Sequence, residues 1–381
     1  MLESKIIYLD NAANTLVNPE ILQTYQKVIE QFIANPSSIH FEGQKASHLL
    51  DMARQQILEC FHLSEHEAIF TSGATEANNL AIKGIAFQYS NRGHHIITSV
   101  AEHPSVLEVF RQLETKFQFN VTYLPVNANG IIDIDDLKKV LTNETTLVSL
   151  MAVNNETGAI NPIKEISSLL AKYPKITFHV DAVQAVGKLS FDYSKIDLIT
   201  IAGHKINALN SCGVLLKRKK IDLFPLLAGG GQEGGLRSGS NDVAMGVSLS
   251  KAIRLALTNI PSKIEYITPL NQQIRHYLSN NNDLYEINSP LDASPFIINF
   301  SLKNRKASVV VEALSNRGIM ISSTSACHAR KETYSYVVKA MGKSEQIYSN
   351  TLRVSLDTTN TKSDISLFLS SLDEVVKGIK R

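Results

Sequence analysis

Apolar residues along this chain fall into two alternating patterns: short runs of strand length, and longer stretches in which they recur at helical spacing. "EAIFTSGA" is followed by "TEANNLAIKGIAFQY", and "HHIITSVAEH" by "PSVLEVFRQLETKF". That succession predicts βαβ units. "NVTYLPV", "TTLVSLMAVN", "ITFHVDA", "DLITIAG" and "CGVLLKR" read as further strands. Several are apolar at consecutive rather than alternate positions, as expected when helices cover both faces of a mostly parallel sheet.

After Gly229 the pattern changes. The glycine-rich loop "AGGGQEGGLRSGSND" leads into a helix from about Val243 to Leu257, and Pro261 follows. Beyond it come a helix around 262 to 279, a strand at "FIINFSL", a helix at "ASVVVEALSNRG", strands at "IMISST" and "TLRVSLD", and a closing helix, "SDISLFLSSLDEVVKGI". The fold class is therefore α/β, a mostly parallel sheet covered by helices in a large domain (13–257), joined to a smaller α+β domain (1–12 and 258–381).

Composition narrows the function. With 381 residues, 44% hydrophobic and 19% charged, the chain can bury a substantial core. The net charge is only +2 and the basic residues are dispersed, so no nucleic-acid footprint is present. The basic run Lys217 to Lys220 reads as a solvated strand end. No charged segment leads into a long apolar one at the start, and no window approaches the roughly eighteen apolar residues of a membrane span. An unexported, cytoplasmic protein is expected. Cys60, Cys212 and Cys327 lack metal-ligand spacing and suit a reducing compartment. No metal site is expected.

Polar or glycine-bearing residues follow the strands repeatedly, where open α/β sheets bind ligands. Lys205 ends the run "IDLITIAGHKIN", Asp181 closes an earlier strand, and Gly73-Ala74-Thr75 opens a helix. Together these are the parts that hold pyridoxal phosphate: an amine for the aldehyde, a carboxylate for the ring nitrogen, and a helix N-terminus for the phosphate. Each alone has a plainer reading, Lys205 as a solvated loop charge, Gly73-Ala74-Thr75 as an ordinary helix start, and Asp181 as a cap.

"YLDNAANT", "NPSSIHFEGQKA", "FTSGATEANNLAI", "AEHPSVL", "NNETGAINPI", "HVDAVQAVGK", "AGHK", "GGGQEGGLRSGS", "SSTSAC" and "LRVSL" occur in that order. Over nearly its whole length the chain thus resembles the cysteine desulfurases, class V aminotransferases of the fold type I pyridoxal phosphate enzymes. The resemblance implies that Lys205 is the Schiff-base lysine. Thr75, the backbone at Ala74, and His204 would hold the phosphate; Asp181 would pair with the ring nitrogen, Gln184 with the ring hydroxyl, and His103 would stack on the ring. Asn155 and Arg353 would hold the substrate carboxylate with Asn35 beside them, and Ser240 would reach the phosphate of the neighbouring subunit's site. Cys327 matches the nucleophile, and His328, Arg330 and Lys331 beside it favour a thiolate. Cys60 lies in the apolar-periodic "RQQILECFHL" and reads as core.

The implied activity converts L-cysteine to L-alanine and passes the sulfur, as a persulfide on Cys327, to an acceptor protein, either an iron–sulfur scaffold or a thiolation protein. A homodimer is implied, with no direct role for nucleic acid or membrane. The segment from 322 to 335 is short of apolar anchors and is expected to carry the thiol between pocket and acceptor. A selenocysteine lyase or other class V enzyme would share Lys205 and Asp181, and a weakly active relay or assembly subunit would share the fold. The chain departs from the family pattern at "INALNSCG", where Gly-Pro-Lys-Gly is usual, and at Ala202, where many members carry a phosphate-binding hydroxyl.

Overall fold

A computed structural model describes residues 6–323 and 334–378. Its strands are β1 (Ile7–Tyr8), β2 (His66–Thr71), β3 (His95–Ser99), β4 (Asn120–Leu124), β5 (Thr145–Met151), β6 (Thr177–Asp181) and β7 (Leu198–Ala202). β8 (Gly213–Arg218), β9 (Tyr285–Ile287), β10 (Ile297–Leu302), β11 (Ile319–Met320), β12 (Ser322–Ser323) and β13 (Thr351–Ser355) complete them. Seven form one sheet in the order β2-β8-β7-β6-β5-β3-β4, in which β8 runs antiparallel to both neighbours and the remaining pairs are parallel.

The consecutive apolar runs have a direct cause. Ile96, Leu147, Leu198 and Leu215 pack on one face against Leu80 and Ile85 of the helix Ala74–Gln88 and Phe110 of the helix Pro104–Phe117. Their neighbours Ile97, Val148, Ile199 and Leu216 pack on the other face against Ile57, Leu249 and Ile253. Successive side chains of a strand point to opposite faces, so both must be apolar when both faces are covered.

A second, antiparallel sheet has the order β12-β13-β10-β9, and its core draws on Ile7 and Leu9 from the chain start and on the helices Ile260–Asn280, Ala307–Ser315 and Lys362–Gly378. "IMISST" is not one strand. Ile319–Met320 pairs in parallel with β1, whereas Ser322–Ser323 pairs with β13.

The basic run after β8 also departs from expectation. Lys217 is 3% exposed, its Nζ lying 2.6 Å from Glu67 Oε1 and donating to the Ile221 carbonyl, and Arg218 pairs with Asp197. The sheet register sets Glu67 opposite Lys217 on the antiparallel neighbour, which supplies the partner a buried ammonium requires.

Candidate active site

A cavity of about 340 Å³ opens where β6 and β7 end, and Ala74, Thr75, His103, Asn155, Asp181, Gln184, His204, Lys205 and Arg353 all line it. Lys205 ends the tight helical turn Gly203–Lys205 that follows β7. Its Nζ donates to the carbonyls of Ala12 (2.8 Å) and Ala13 (2.5 Å). Hydrogen bonds fix the turn: Gly203 N–H donates to the Cys212 carbonyl, the Gly203 carbonyl accepts from Ile206 and Ala208, and the His204 carbonyl accepts from Thr15.

One end of the cavity is suited to an anion. The helix Ala74–Gln88 begins at Gly73 with no side-chain cap, leaving its first N–H groups to the cavity that Ala74 and Thr75 line. Gly73 has φ +146°, and a Cβ on Gly213 would stand 2.7 Å from Gly73 Cα, so two glycines permit this turn to lie against β8. Glu76, in the same first turn, is ionised, and its charge is offset by the ion pair with Arg237. Burial pushes its carboxyl up, but hydrogen bonds from Arg237 and Ser72 outweigh that and hold it below the usual carboxylate range. Burial, with Lys205 and Lys188 adding to it, pushes His204 down to about 4, so its ring is neutral at pH 7.

Asp181 lies at the base. Its Oδ1 accepts from Val183 N–H (3.0 Å) and its Oδ2 from Asn78 Nδ2 (2.9 Å). Burial raises its pKa, against the pull of those two donors and Lys205. A cationic N–H at the cavity floor would restore the carboxylate. Asn78 also donates to Ser105 Oγ (2.9 Å), which pairs with His103 Nδ1 (2.8 Å). His103 Nδ1 further accepts from Ser105 N–H as it caps the helix Pro104–Phe117, so the neutral ring carries its proton on Nε2.

At the opposite end Arg353, on β13, donates from Nη1 to the Asn155 carbonyl (3.0 Å) and from Nη2 to Asp10 Oδ1 (2.9 Å). Its Nε and Asn155 Oδ1 are buried and have no hydrogen-bond partner among the described residues. Buried polar atoms are normally satisfied, and two orphans on one cavity wall mark where a polar ligand fits.

Not every candidate comes to this cavity. Asn35 is exposed, its Oδ1 accepting from Ser37 N–H (2.9 Å), and Ser240 lines a neighbouring pocket with Ser72, Ser211 and Arg237. Cys327 lies outside the described residues. Burial pushes the other two thiols up, Cys212 to about 12, and both are poor nucleophiles. Ala202 is buried in β7, while Ser211, at φ +57°, lines the main cavity.

Four more polar residues stand around the site: Asn78 and Asp10, not singled out from the sequence, and Glu102 and Glu156, which follow strands but were given no role. Asn78 is a fully buried amide in an otherwise apolar helix stripe, a pattern that flags a polar partner. Asp10 has no such signal. Glu102 accepts from Ser99 Oγ and Met151 N–H on Oε1, and burial pushes it up to about 8. Glu156, bonded to Ser335 Oγ, is pushed up to about 7 by burial against the opposing effects of Ser335 and Arg353.

The comparisons with known proteins follow the same lines. The family model described as aminotransferase class-V matches residues 7–368. A NifS/IcsS protein homolog from Lactobacillus delbrueckii subsp. bulgaricus is 41% identical over 381 residues, 99% of this chain and 98% of the relative. Cysteine desulfurase IscS of Dictyoglomus turgidum is 37% identical over 378 residues, 98% of this chain and 95% of the relative. Among solved structures, a NifS-like protein superposes with a TM-score of 0.91 at 31% identity, covering 98% of this chain and 100% of the other.

Proposed function

The chain belongs to the aminotransferase class-V family, and from that premise we infer that it is a pyridoxal phosphate-dependent cysteine desulfurase, converting L-cysteine to L-alanine and passing the sulfur to an acceptor protein. One observation carries the assignment of roles. Lys205, Asp181 and an uncapped helix start meet in one cavity whose far wall holds the unpartnered Arg353 Nε and Asn155 Oδ1. These residues fit the cofactor: an anion cradle, a buried carboxylate and an amine at one end, and room for a second carboxylate at the other.

Pyridoxal phosphate supplies, when bound, an aldehyde that amines condense with and a protonated ring that accepts the electron pair of a broken Cα–H bond. Ala74, Thr75 and His204 would hold the phosphate, Asp181 would keep the proton on the ring nitrogen, Gln184 would serve the ring oxygen, and His103 would lie beside the ring. Lys205 would be the amine for the aldehyde, and its Nζ, when free, would be the base for the substrate's Cα proton. Arg353 and Asn155 fix the substrate carboxylate, whose two oxygens suit a guanidinium edge. Cys327 thiolate then attacks the substrate Sγ. The Cβ–Sγ bond breaks with its electron pair on Cβ, which takes up a proton and leaves as the methyl group of L-alanine, while the sulfur stays on Cys327 as a persulfide.

The acceptor is an iron–sulfur scaffold or a thiolation protein, and the enzyme is a homodimer. Leu16, Leu22, Ile29, Ile33, Ile39 and Phe41 leave a run of apolar side chains exposed near Asn35, which supports a subunit contact there. Among the described residues no helix is long and apolar enough to cross a membrane. Purified protein given L-cysteine and a thiol should release alanine and sulfide in equal amounts. Lys205→Ala should abolish both and the cofactor's visible band, and Asp181→Ala should slow Cα–H exchange by orders of magnitude; near wild-type rates in either variant would overturn these roles.

A further inference from the structure

Lys188 is a buried cation for which the reaction above has no use. It is 8% exposed, on the turn after β6, and the hydrogen bond it makes runs from Nζ to Gln184 Oε1 at 2.7 Å. No carboxylate among the described residues forms an ion pair with it. Burying an ammonium beside a neutral amide is expensive, so a structural role alone would be better served by an apolar side chain.

The geometry of the amide shows what the lysine does. An ammonium can only donate, so a charged Lys188 requires Gln184 to turn its oxygen toward it and its nitrogen the other way. One N–H of that nitrogen is given to the Ala12 carbonyl at 2.9 Å, the same carbonyl that receives Lys205 Nζ at 2.8 Å. Gln184 lines the main cavity, and its second N–H is the donor left for a ligand there. Without Lys188 the Ala12 carbonyl alone would oppose turning the amide oxygen toward the ligand. With it, this part of the wall can only donate.

We propose that Lys188 is a positioning residue that locks Gln184 as a hydrogen-bond donor to the cofactor's ring oxygen. The inference rests on the assignment of Gln184 to that oxygen. The charged groups around Lys188 are consistent with it. Lys205, Lys263 and Asp357 line a small cavity of about 60 Å³ with it, and Arg353 also acts on its charge. Positive charge prevails there, which favours a ligand oxygen carrying negative charge. Burial first, then Lys205, lowers the affinity of Lys188 for its proton to a pKa of about 7.

The experiment compares dissociation constants for pyridoxal phosphate and for its deoxy analogue lacking the ring hydroxyl, read by cofactor absorbance and fluorescence in wild type, Lys188→Met, Lys188→Arg and Gln184→Leu. Wild type should prefer pyridoxal phosphate, and Lys188→Met should lose roughly tenfold in that affinity with the analogue little changed. Lys188→Arg, whose guanidinium can extend into the small cavity and still donate to Gln184, should restore the preference. Equal weakening toward both ligands in Lys188→Met, or no weakening, would overturn the proposal. If Gln184→Leu kept the full preference, the assignment of Gln184 itself would fall, a result distinct from failure of Lys188 alone. Should Lys188→Met not fold, Lys188→Arg still decides: loss of preference in a folded Lys188→Arg protein counts against the mechanism.

Discussion

Gly203→Ala is the substitution whose cost the packing defines most sharply. A Cβ at Gly203 would stand 2.2 Å from Cys212 Sγ, 3.1 Å from Ala208 Cβ and 3.2 Å from Leu249 Cδ1. Contact between such atoms is comfortable at about 3.5–4.0 Å, so the first overlap exceeds an ångström. Cys212 has little room to retreat. It is 1% exposed, its Sγ donates to the Leu209 carbonyl at 2.9 Å, and its own carbonyl receives Gly203 N–H. The strands behind the pair are also joined, with Ala202 opposite Gly213 in the β7–β8 register. Overpacking in such a place costs about 1–3 kcal/mol, and the upper part of that range is expected. The strain falls two residues before Lys205, so cofactor affinity should drop as well. Cys212→Ala removes the clashing sulfur and alone should cost about 1 kcal/mol. The double variant should then be more stable than Gly203→Ala, with a coupling of roughly 1–2 kcal/mol. Urea unfolding of the four proteins, with cofactor absorbance followed in parallel, measures both effects. If Gly203→Ala falls within ~0.5 kcal/mol of wild type, or if the two losses simply add, the packing argument is wrong.

Arg353→Leu removes a charged contact worth ~2–4 kcal/mol, so KM for L-cysteine should rise roughly 30-fold or more while the cofactor's absorbance changes little; an unchanged KM would move the carboxylate site elsewhere. Cys327→Ser should retain cofactor and still exchange the Cα proton of bound cysteine but form no persulfide, as mass spectrometry of the intact protein would reveal. Glu102 is held protonated above its unfolded pKa, so the folded state binds the extra proton between about pH 4.5 and 8 and loses stability as pH rises through that window. Glu102→Gln, which mimics the protonated acid, should gain in unfolding free energy on wild type as pH rises from 5 to 9, by on the order of a few kcal/mol. Parallel pH curves for the two proteins would show that Glu102 ionises normally.

Much of the fold was legible because it follows from local pattern. Consecutive apolar positions such as Ile96-Ile97 and Leu147-Val148 require two covered faces, and the residues closing those strands must then reach the sheet's carboxyl edge, which is how Asp181 and Lys205 come to line one cavity. What escaped the sequence reading depends on partners remote in the chain. Lys217 looks solvated until the register brings Glu67 opposite it, and "IMISST" looks like one strand until its halves take different partners, one from residues 7 and 8 and one from β13. The helices Pro19–Gln31 and Phe41–Cys60 were not separated as elements. Exposed Leu22, Ile29, Phe41 and Met52 add apolar positions outside the buried stripe and blur their period. Asp10 and Lys188 bond to Arg353 and Gln184 with nothing in their immediate neighbours to announce it, whereas Asn78, which bonds to Asp181, is marked only by being an amide in an apolar stripe.

Those remote contacts decide the charge of the pocket. A site for a phosphorylated cofactor and an amino acid must receive two anionic groups, which a wall rich in carboxylates would resist. Of the acids near the cavity, Glu76 is neutralised by Arg237, Asp10 is paired with Arg353, and Glu102 and Glu156 keep their protons up to about 8 and about 7. Asp181 retains its charge most readily when a ring N–H stands against it. Lys205 and Arg353 are the cations that line the pocket, and an anion arriving there meets them where water screens little. Burial makes the acids reluctant to ionise, and the same burial strengthens the attraction of the cations for the ligand. For this reason, substitutions that let water into the cavity should weaken cofactor binding even where no contact to the cofactor is lost.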